Sequence, residues 1–268
     1  MSTTIPRKSH ISDPDALADA WAARAVEVKP LLPAGVKPYY LDERAGIVIY
    51  NADCREVLPL LADKSVDLVL TDPPYGVGWN CDYERNWTRS PKQRGGTTKS
   101  YPSFEGNVGQ FDPTQLLLLF EKSRIILWGA NNFLQYLRPG ALLIWDKRFP
   151  ISGKAVRADA ECAWMNHGYG CYIKSHYEQG FLRPEGSSYH PTQKPTLLMR
   201  WCMGFAPAAK TVLDPFLGSG TTLVACKQLG RRGIGIEIEE KYCEIAAKRL
   251  SQAMLEFDPP PAEQKSLL

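Results

Sequence analysis

The feature that most constrains the fold is an alternation, from Ala45 onward, of short apolar runs with segments of helical spacing. The runs 46–53 (GIVIYNAD), 65–75 (SVDLVLTDPPY), 124–130 (RIILWGA), 141–147 (ALLIWDK), 211–216 (TVLDPF) and 232–238 (RGIGIEI) are short and mostly rich in β-branched residues. They are apolar at nearly every position, so both faces of each pleat must be buried. A mostly parallel sheet covered by helices on both sides meets that demand. Segments 160–165 and 171–177 read as further strands. Helices are expected over 54–64, 112–122 (Asp112 as cap, Pro113 in the first turn), 192–205, from Thr221 onward, and over 239–255. The expected class is therefore α/β, doubly wound and mostly parallel.

Around this domain, placed at 39–256, residues 1–38 read as a peripheral arm with a helix from Asp13-Pro14 to about Val28, and 257–268 as a disordered tail. With 268 residues, the chain can bury a large core without disulfide or metal staples. Hydrophobic residues at 44% and charged residues at 23% exclude wholesale disorder. No apolar run approaches the ~20 residues of a membrane helix, and MSTTIPRKSH has no signal-peptide core. The seven cysteines include no CxxC pair, so no metal site is expected and reduced thiols in a cytoplasm are the reading. A net charge of +3 permits a nucleic-acid partner without requiring one.

Two strand ends carry unusual chemistry. In sheets of this class ligands bind beyond the carboxyl ends of the strands. DPFLGSGTT (214–222) joins a strand to a helix. Gly218 and Gly220 permit a tight turn and a close backbone approach, and the helix start offers unpaired N–H groups. There is no Walker lysine, so a phosphate loop is excluded, and the lack of a full GxGxxG disfavours a nicotinamide oxidoreductase. Nineteen positions after Gly218, Glu237 ends the next strand, where an acid meets ribose hydroxyls in nucleoside-binding folds. The plainer alternative is an ordinary turn and a solvated strand-end charge. The second strand end is Asp72-Pro73-Pro74-Tyr75. Its prolines stiffen the turn and donate nothing, so the backbone carbonyls stay presented. A carboxylate, a carbonyl and an aromatic face within four residues suit a planar base with an exocyclic amino group. A plain proline turn with a packed tyrosine is the alternative.

Together these segments resemble the amino-group DNA methyltransferases that use S-adenosylmethionine to methylate N6 of adenine or N4 of cytosine. The resemblance covers about 46–250. TDPPYG (71–76) is similar to the catalytic motif, LDPFLGSGTT (213–222) to the cofactor loop, and GIGIEIEEKYCEIAAKRL (233–250) to the ribose-binding strand and its helix. YHPTQKP (189–195), NADC (51–54), LWGANNF (127–133) and WDKR (145–148) are similar to smaller elements. The catalytic motif precedes the cofactor loop, as in the family's beta group. The resemblance implies a seven-stranded Rossmann-like methyltransferase sheet with circularly permuted motif order.

It also implies roles. Asp72, Pro73, Pro74 and Tyr75 would hold the flipped base. Asp53, Asp72, Lys194, Asp214, Phe216, Gly218, Ser219, Gly220, Thr221, Glu237 and Ile238 would surround the cofactor. Within that set, Glu237 would take the ribose hydroxyls, Asp53 the adenine amino group and Lys194 the methionine carboxylate, although Lys194 could equally be a surface cation. Asp at position 72 favours N6 of adenine, with N4 of cytosine and a catalytically silent nucleic-acid-binding relative as alternatives. No cysteine follows a proline, which disfavours C5 chemistry. Only 149–189 is left for target recognition, a short stretch for this family, so a homodimer is expected. A cognate restriction endonuclease is a further partner that the resemblance allows.

The stretch 78–111 follows the catalytic turn. Between Trp79 and Tyr101 it holds Arg85, Arg89, Lys92, Arg94 and Lys99 against only Asp82 and Glu84, interleaved with Tyr83 and Trp87. Basic groups neutralise phosphates and aromatic faces stack on bases, so these five cations are the expected DNA contacts. A solvated loop is the alternative.

Overall fold

The computed structural model describes residues 33, 35–62, 64–75, 111–148, 158–176 and 193–252. The expected helix at 14–28, the tail, the basic stretch with Arg85, Arg89, Lys92, Arg94 and Lys99, and most of 149–189 lie outside the described residues.

One mixed sheet organises the chain. In chain order its strands are β1 (Tyr40–Asp42), β2 (Ile47–Asn51), β3 (Leu68–Thr71), β4 (Arg124–Trp128), β5 (Ala141–Asp146), β6 (Ala160–Met165), β7 (Gly170–Ser175), β8 (Thr211–Asp214) and β9 (Arg232–Glu237). Across the sheet the order is β1-β2-β9-β8-β3-β4-β6-β5-β7. The run from β2 to β4 is parallel throughout, β6 is antiparallel to both its neighbours, and β7 is parallel to β5. Among the described residues nine strands replace the expected seven. The edge strand β1 is a three-residue hairpin return, too short to announce itself in a pattern. It turns back through Gly46 at φ 68°, with the Ala45 N–H donating to Asp42 Oδ1 at 2.9 Å. At the other side the segments read at 160–165 and 171–177 join the same sheet as β6 and β7.

The continuous apolar runs have a direct packing reason. Ile47, Val48, Ile49 and Tyr50 of β2 are all 0% exposed, yet they serve two cores. Ile47 and Ile49 face the first with Leu68, Leu70, Ile126 and Trp128. Val48 and Tyr50 face the second with Val69, Ile125 and Leu127. The first core is closed by α3 (Thr196–Gly204), α4 (Thr221–Gln228) and α5 (Glu240–Ser251), through Leu198, Cys202, Leu223, Cys226, Cys243 and Ala246. The second is closed by Val57, Leu58, Leu116, Phe120 and Phe133, drawn largely from α1 (Cys54–Val57), α2 (Thr114–Leu119) and nearby 3-10 turns.

Helix ends depart from expectation for local reasons. After α1 the chain tightens into a 3-10 turn at Leu58–Leu60, because Pro59 cannot donate to an α-helical ladder. α3 starts at Thr196 rather than 192, since Lys194 precedes Pro195 and is disfavoured from helical geometry. At α2 the N-cap position falls to Pro113 rather than Asp112, although Asp112 Oδ1 accepts from the Thr114 N–H at 2.8 Å.

Strand direction sets up the site. β2, β9, β8 and β3 are adjacent and parallel. Asp53, Glu237, Asp214 and Asp72 stand at or just beyond their carboxyl ends. Four acids are thereby gathered along one edge of the sheet. Because β6 runs the other way, its first residues reach that same edge.

Candidate active site

Asp72 leaves β3 and is clamped at once. The Tyr75 hydroxyl donates to Asp72 Oδ1, and the Lys194 ammonium donates to Asp72 Oδ2 at 2.5 Å, with the Tyr75 hydroxyl 3.3 Å from the same Nζ. On its other side Lys194 lies 3.1 Å from Glu161 Oε2 of β6, and Lys147, just after β5, reaches Glu161 Oε1 at 2.7 Å. Burial alone would lower the affinity of Lys194 for its proton, but Asp72, Tyr75 and Glu161 outweigh it, and the ammonium is held well above the ordinary lysine range. Tyr75 is pushed well up, first by burial and then by the charge of Asp72, and so stays a donor. Burial works against ionised Glu161, yet Lys194 and Lys147 hold it below the usual range.

The Tyr75 ring rests on a backbone that only glycine can provide. Gly129, after β4, has φ 73°, and a Cβ there would lie 2.0 Å from the tyrosine Cε1. From Tyr75 an edge-to-face series runs through Phe133 (6.2 Å between centroids) and Phe111 (5.5 Å) to Phe216 (5.0 Å), linking the Asp72–Tyr75 turn to the glycine loop.

The glycine loop is built between β8 and α4. Gly218 has φ 53° and open space where a Cβ would stand. Gly220 has φ 86°, and a Cβ there would meet Ala246 Cβ of α5 at 2.7 Å. The Gly218 N–H donates to Glu237 Oε2 at 2.8 Å and the Glu239 N–H to Oε1 at 2.9 Å. Arg249 of α5 ties the loop from the far side, donating to the Ser219 carbonyl at 2.6 Å and to the hydroxyls of Ser219 and Thr221 at 3.2 Å. The Ser219 hydroxyl also donates to Gln193 Oε1 at 3.2 Å, joining the loop to the Lys194 segment.

Asp214 is buried at the loop's start. It accepts from the Thr71 hydroxyl at 2.7 Å and the Phe216 N–H at 3.2 Å, and burial pushes its pKa up to about 6. Burial also raises Glu237. Beside it the Ile238 side chain is 64% exposed.

The structure therefore brings Asp72, Pro73, Pro74, Tyr75 and Lys194 into one cluster, and Asp214, Phe216, Gly218, Ser219, Gly220, Thr221, Glu237 and Ile238 into another along the same edge. Asp53 is placed at the end of β2, where it caps α1 and pairs with Arg55, whose hydrogen bonds hold its carboxyl below the usual range. Lys194 points at the Asp72 carboxylate. Glu161, Lys147, Gly129 and Arg249 were not foreseen from sequence; the WDKR and LWGANNF segments marked Lys147 and Gly129 only as neighbours. Among the described residues no group of His, Cys, Asp and Glu could hold a metal ion, and no helix is long and apolar enough to cross a membrane.

The chain is similar to known DNA methyltransferases. The DNA methylase model of the N6/N4 type matches residues 143–248, from β5 into α5. The type II methyltransferase M.HinfI of Haemophilus influenzae is 27% identical over 82% of this chain and 75% of its own length. The type II methyltransferase M2.LlaDCHI of Lactococcus lactis subsp. cremoris is 27% identical over 81% of this chain and 93% of its own. Among solved structures, the PvuII cytosine-N4-specific DNA methyltransferase superposes with a TM-score of 0.52 at 17% identity, covering 82% of this chain and 92% of that one, a likeness of fold. With the Asp72–Tyr75 turn, the glycine loop and the strand order in place, the chain is similar to the amino-methyltransferases of DNA, and the family model covers its residues 143–248.

Proposed function

We propose that the protein methylates the N6 amino group of an adenine flipped out of DNA, using S-adenosylmethionine. The observation that carries this reading is the meeting, on one sheet edge, of the Asp72–Tyr75 turn with a glycine loop hydrogen-bonded to Glu237.

The second cluster fits the cofactor. Each Glu237 oxygen takes one backbone N–H, which leaves a lone pair on each for a ribose diol. A buried carboxylate pushed up in pKa gains from further donors. Exposed Ile238 offers an apolar face for a planar ring, and the open space at Gly218 admits a ligand against the loop backbone. Asp214, Phe216, Ser219, Gly220 and Thr221 shape the remainder. When bound, S-adenosylmethionine supplies an electrophilic methyl group.

The chain's own residues handle the base. The exocyclic nitrogen's lone pair is delocalised into the ring, which makes it a poor nucleophile. Asp72 and the Pro73 carbonyl accept its two N–H bonds, and Tyr75 stacks on the ring. These hydrogen bonds favour a tetrahedral nitrogen and localise the lone pair, so catalysis is positioning plus electrostatic stabilisation. The base is out of reach inside a duplex, so flipping is required. Asp at position 72 supports adenine over cytosine.

The test is digestion of DNA treated with protein and S-adenosylmethionine, with the nucleosides identified by mass. N6-methyldeoxyadenosine is the expected product. N4-methyldeoxycytidine would replace the target base in this reading, and unmodified DNA would overturn it.

A further inference from the structure

We infer that Glu161 is a positioning residue for this reaction: it fixes the Lys194 ammonium against the Asp72 carboxylate, and Lys147 fixes Glu161 in turn. The inference rests on the methyl-transfer reading above.

The four side chains form an alternating series. Lys147 lies 2.7 Å from Glu161, Glu161 3.1 Å from Lys194, and Lys194 2.5 Å from Asp72. Two cations and two carboxylates balance. Lysine has three N–H donors on a flexible stem. Here Asp72 Oδ2, Glu161 Oε2 and the Tyr75 hydroxyl at 3.3 Å occupy all three directions. The rings of Trp128 and Tyr75 close the remaining faces, with centroids 5.7 and 5.8 Å from Nζ. The groups that face Lys194 are thus Asp72 and Tyr75 beyond β3, Trp128 of β4, Glu161 of β6 and, more distantly, Cys202 of α3.

This arrangement matters for Asp72. Lys194 takes Oδ2 and so decides which oxygen remains for the base amino group. That oxygen, Oδ1, is the one the Tyr75 hydroxyl holds in this structure. Without Glu161 the ammonium would be held only by Asp72 and by the Tyr75 hydroxyl that itself bonds Asp72, and this group could turn as one about the Asp72 side-chain bonds. Glu161, placed at the site because β6 is antiparallel, holds the ammonium from the opposite side.

The experiment is steady-state and single-turnover methylation of duplex DNA by the full chain carrying Glu161→Gln, Glu161→Asp or Lys147→Met, with cofactor affinity measured by titration calorimetry. Glu161→Gln should lower kcat about 10- to 100-fold, the cost of a misplaced reacting group, and leave the cofactor Kd within about twofold. Glu161→Asp should recover part of the loss. Removing the carboxylate also lowers the proton affinity of Lys194, so the fall in kcat at alkaline pH should begin at a lower pH in Glu161→Gln than in the wild type.

Lys147→Met should act in the same direction with a smaller effect. Wild-type kcat and an unshifted pH profile in Glu161→Gln would overturn the inference. If that variant does not fold, wild-type kinetics in Lys147→Met would overturn it instead. A wild-type protein that transfers no methyl group to DNA would overturn the functional reading itself, a distinct outcome.

Discussion

Gly218 and Gly220 stand two residues apart in one loop, both with positive φ, and the structure predicts different costs for the same substitution. At Gly218 an added Cβ meets nothing within 4 Å, so Gly218→Ala suffers only the left-handed backbone. That penalty is ~1–2 kcal/mol, offset by ~0.4–1 kcal/mol from a less flexible unfolded chain, so the net loss is about 1 kcal/mol. At Gly220 the same methyl lies 2.7 Å from Ala246 Cβ and 3.1 Å from its Cα, and both belong to a packed helix. Overpacking of this kind adds ~1–3 kcal/mol, so Gly220→Ala should cost about 2–4 kcal/mol. With a urea slope of ~2 kcal/mol/M, the two midpoints should differ by about 1 M. Pairing Gly220→Ala with Ala246→Gly removes the shorter contact and should give a favourable coupling of ~1 kcal/mol beyond the summed single effects. Equal midpoints for the two alanine variants, or purely additive behaviour in the cycle, would refute the claim that close packing on α5, rather than backbone angle alone, requires glycine at 220.

On the proposed role of Asp72 in holding the base, Asp72→Ala should abolish methyl transfer to DNA and leave S-adenosylmethionine binding within about twofold; turnover at wild-type level would remove it from the mechanism. Asp214 is held near pKa 6 in the folded protein against 3.8 for the free group, so the native state keeps the proton more tightly. Its contribution to stability is present below about pH 4 and is lost as pH rises through about 6, a change of roughly 3 kcal/mol. Asp214→Asn keeps an oxygen for Thr71 and the Phe216 N–H but cannot ionise, so its urea midpoint should gain on the wild type from pH 4 to pH 7; a constant gap would contradict the assignment. Replacing Arg89, Lys92 and Arg94 by Ala should weaken DNA binding and flatten the plot of log affinity against log salt by up to ~3, at about 0.9 for each phosphate no longer neutralised. Cofactor affinity should be unchanged, and an unaltered salt slope would return the 78–111 stretch to a solvated loop.

The central parallel strands were legible because each is buried on both faces. A run such as 47–50 feeds one core with odd residues and the other with even ones, so the sequence loses its alternation and becomes continuously apolar. The Asp72–Tyr75 turn and the glycine loop were legible for a related reason: proline and glycine are demanded by backbone geometry that few residues adopt. The residues that support these motifs carry no such mark. Arg249 reaches back 30 positions to Ser219, and its place on α5 looks like an ordinary basic residue in a last turn. Lys194 bonds Asp72 across 122 positions, a contact that depends on the fold as a whole. Glu161 is the sharpest case. A strand's periodicity has no direction, and 160–165 would read the same if it ran parallel to β4 and β5. Run that way, Glu161 would lie at the opposite edge of the sheet, away from Lys194. Its antiparallel insertion between β4 and β5 carries the strand's first residues to the edge where β3 releases Asp72. The charge pattern of the site is therefore a consequence of strand direction, and only the three-dimensional structure contains it.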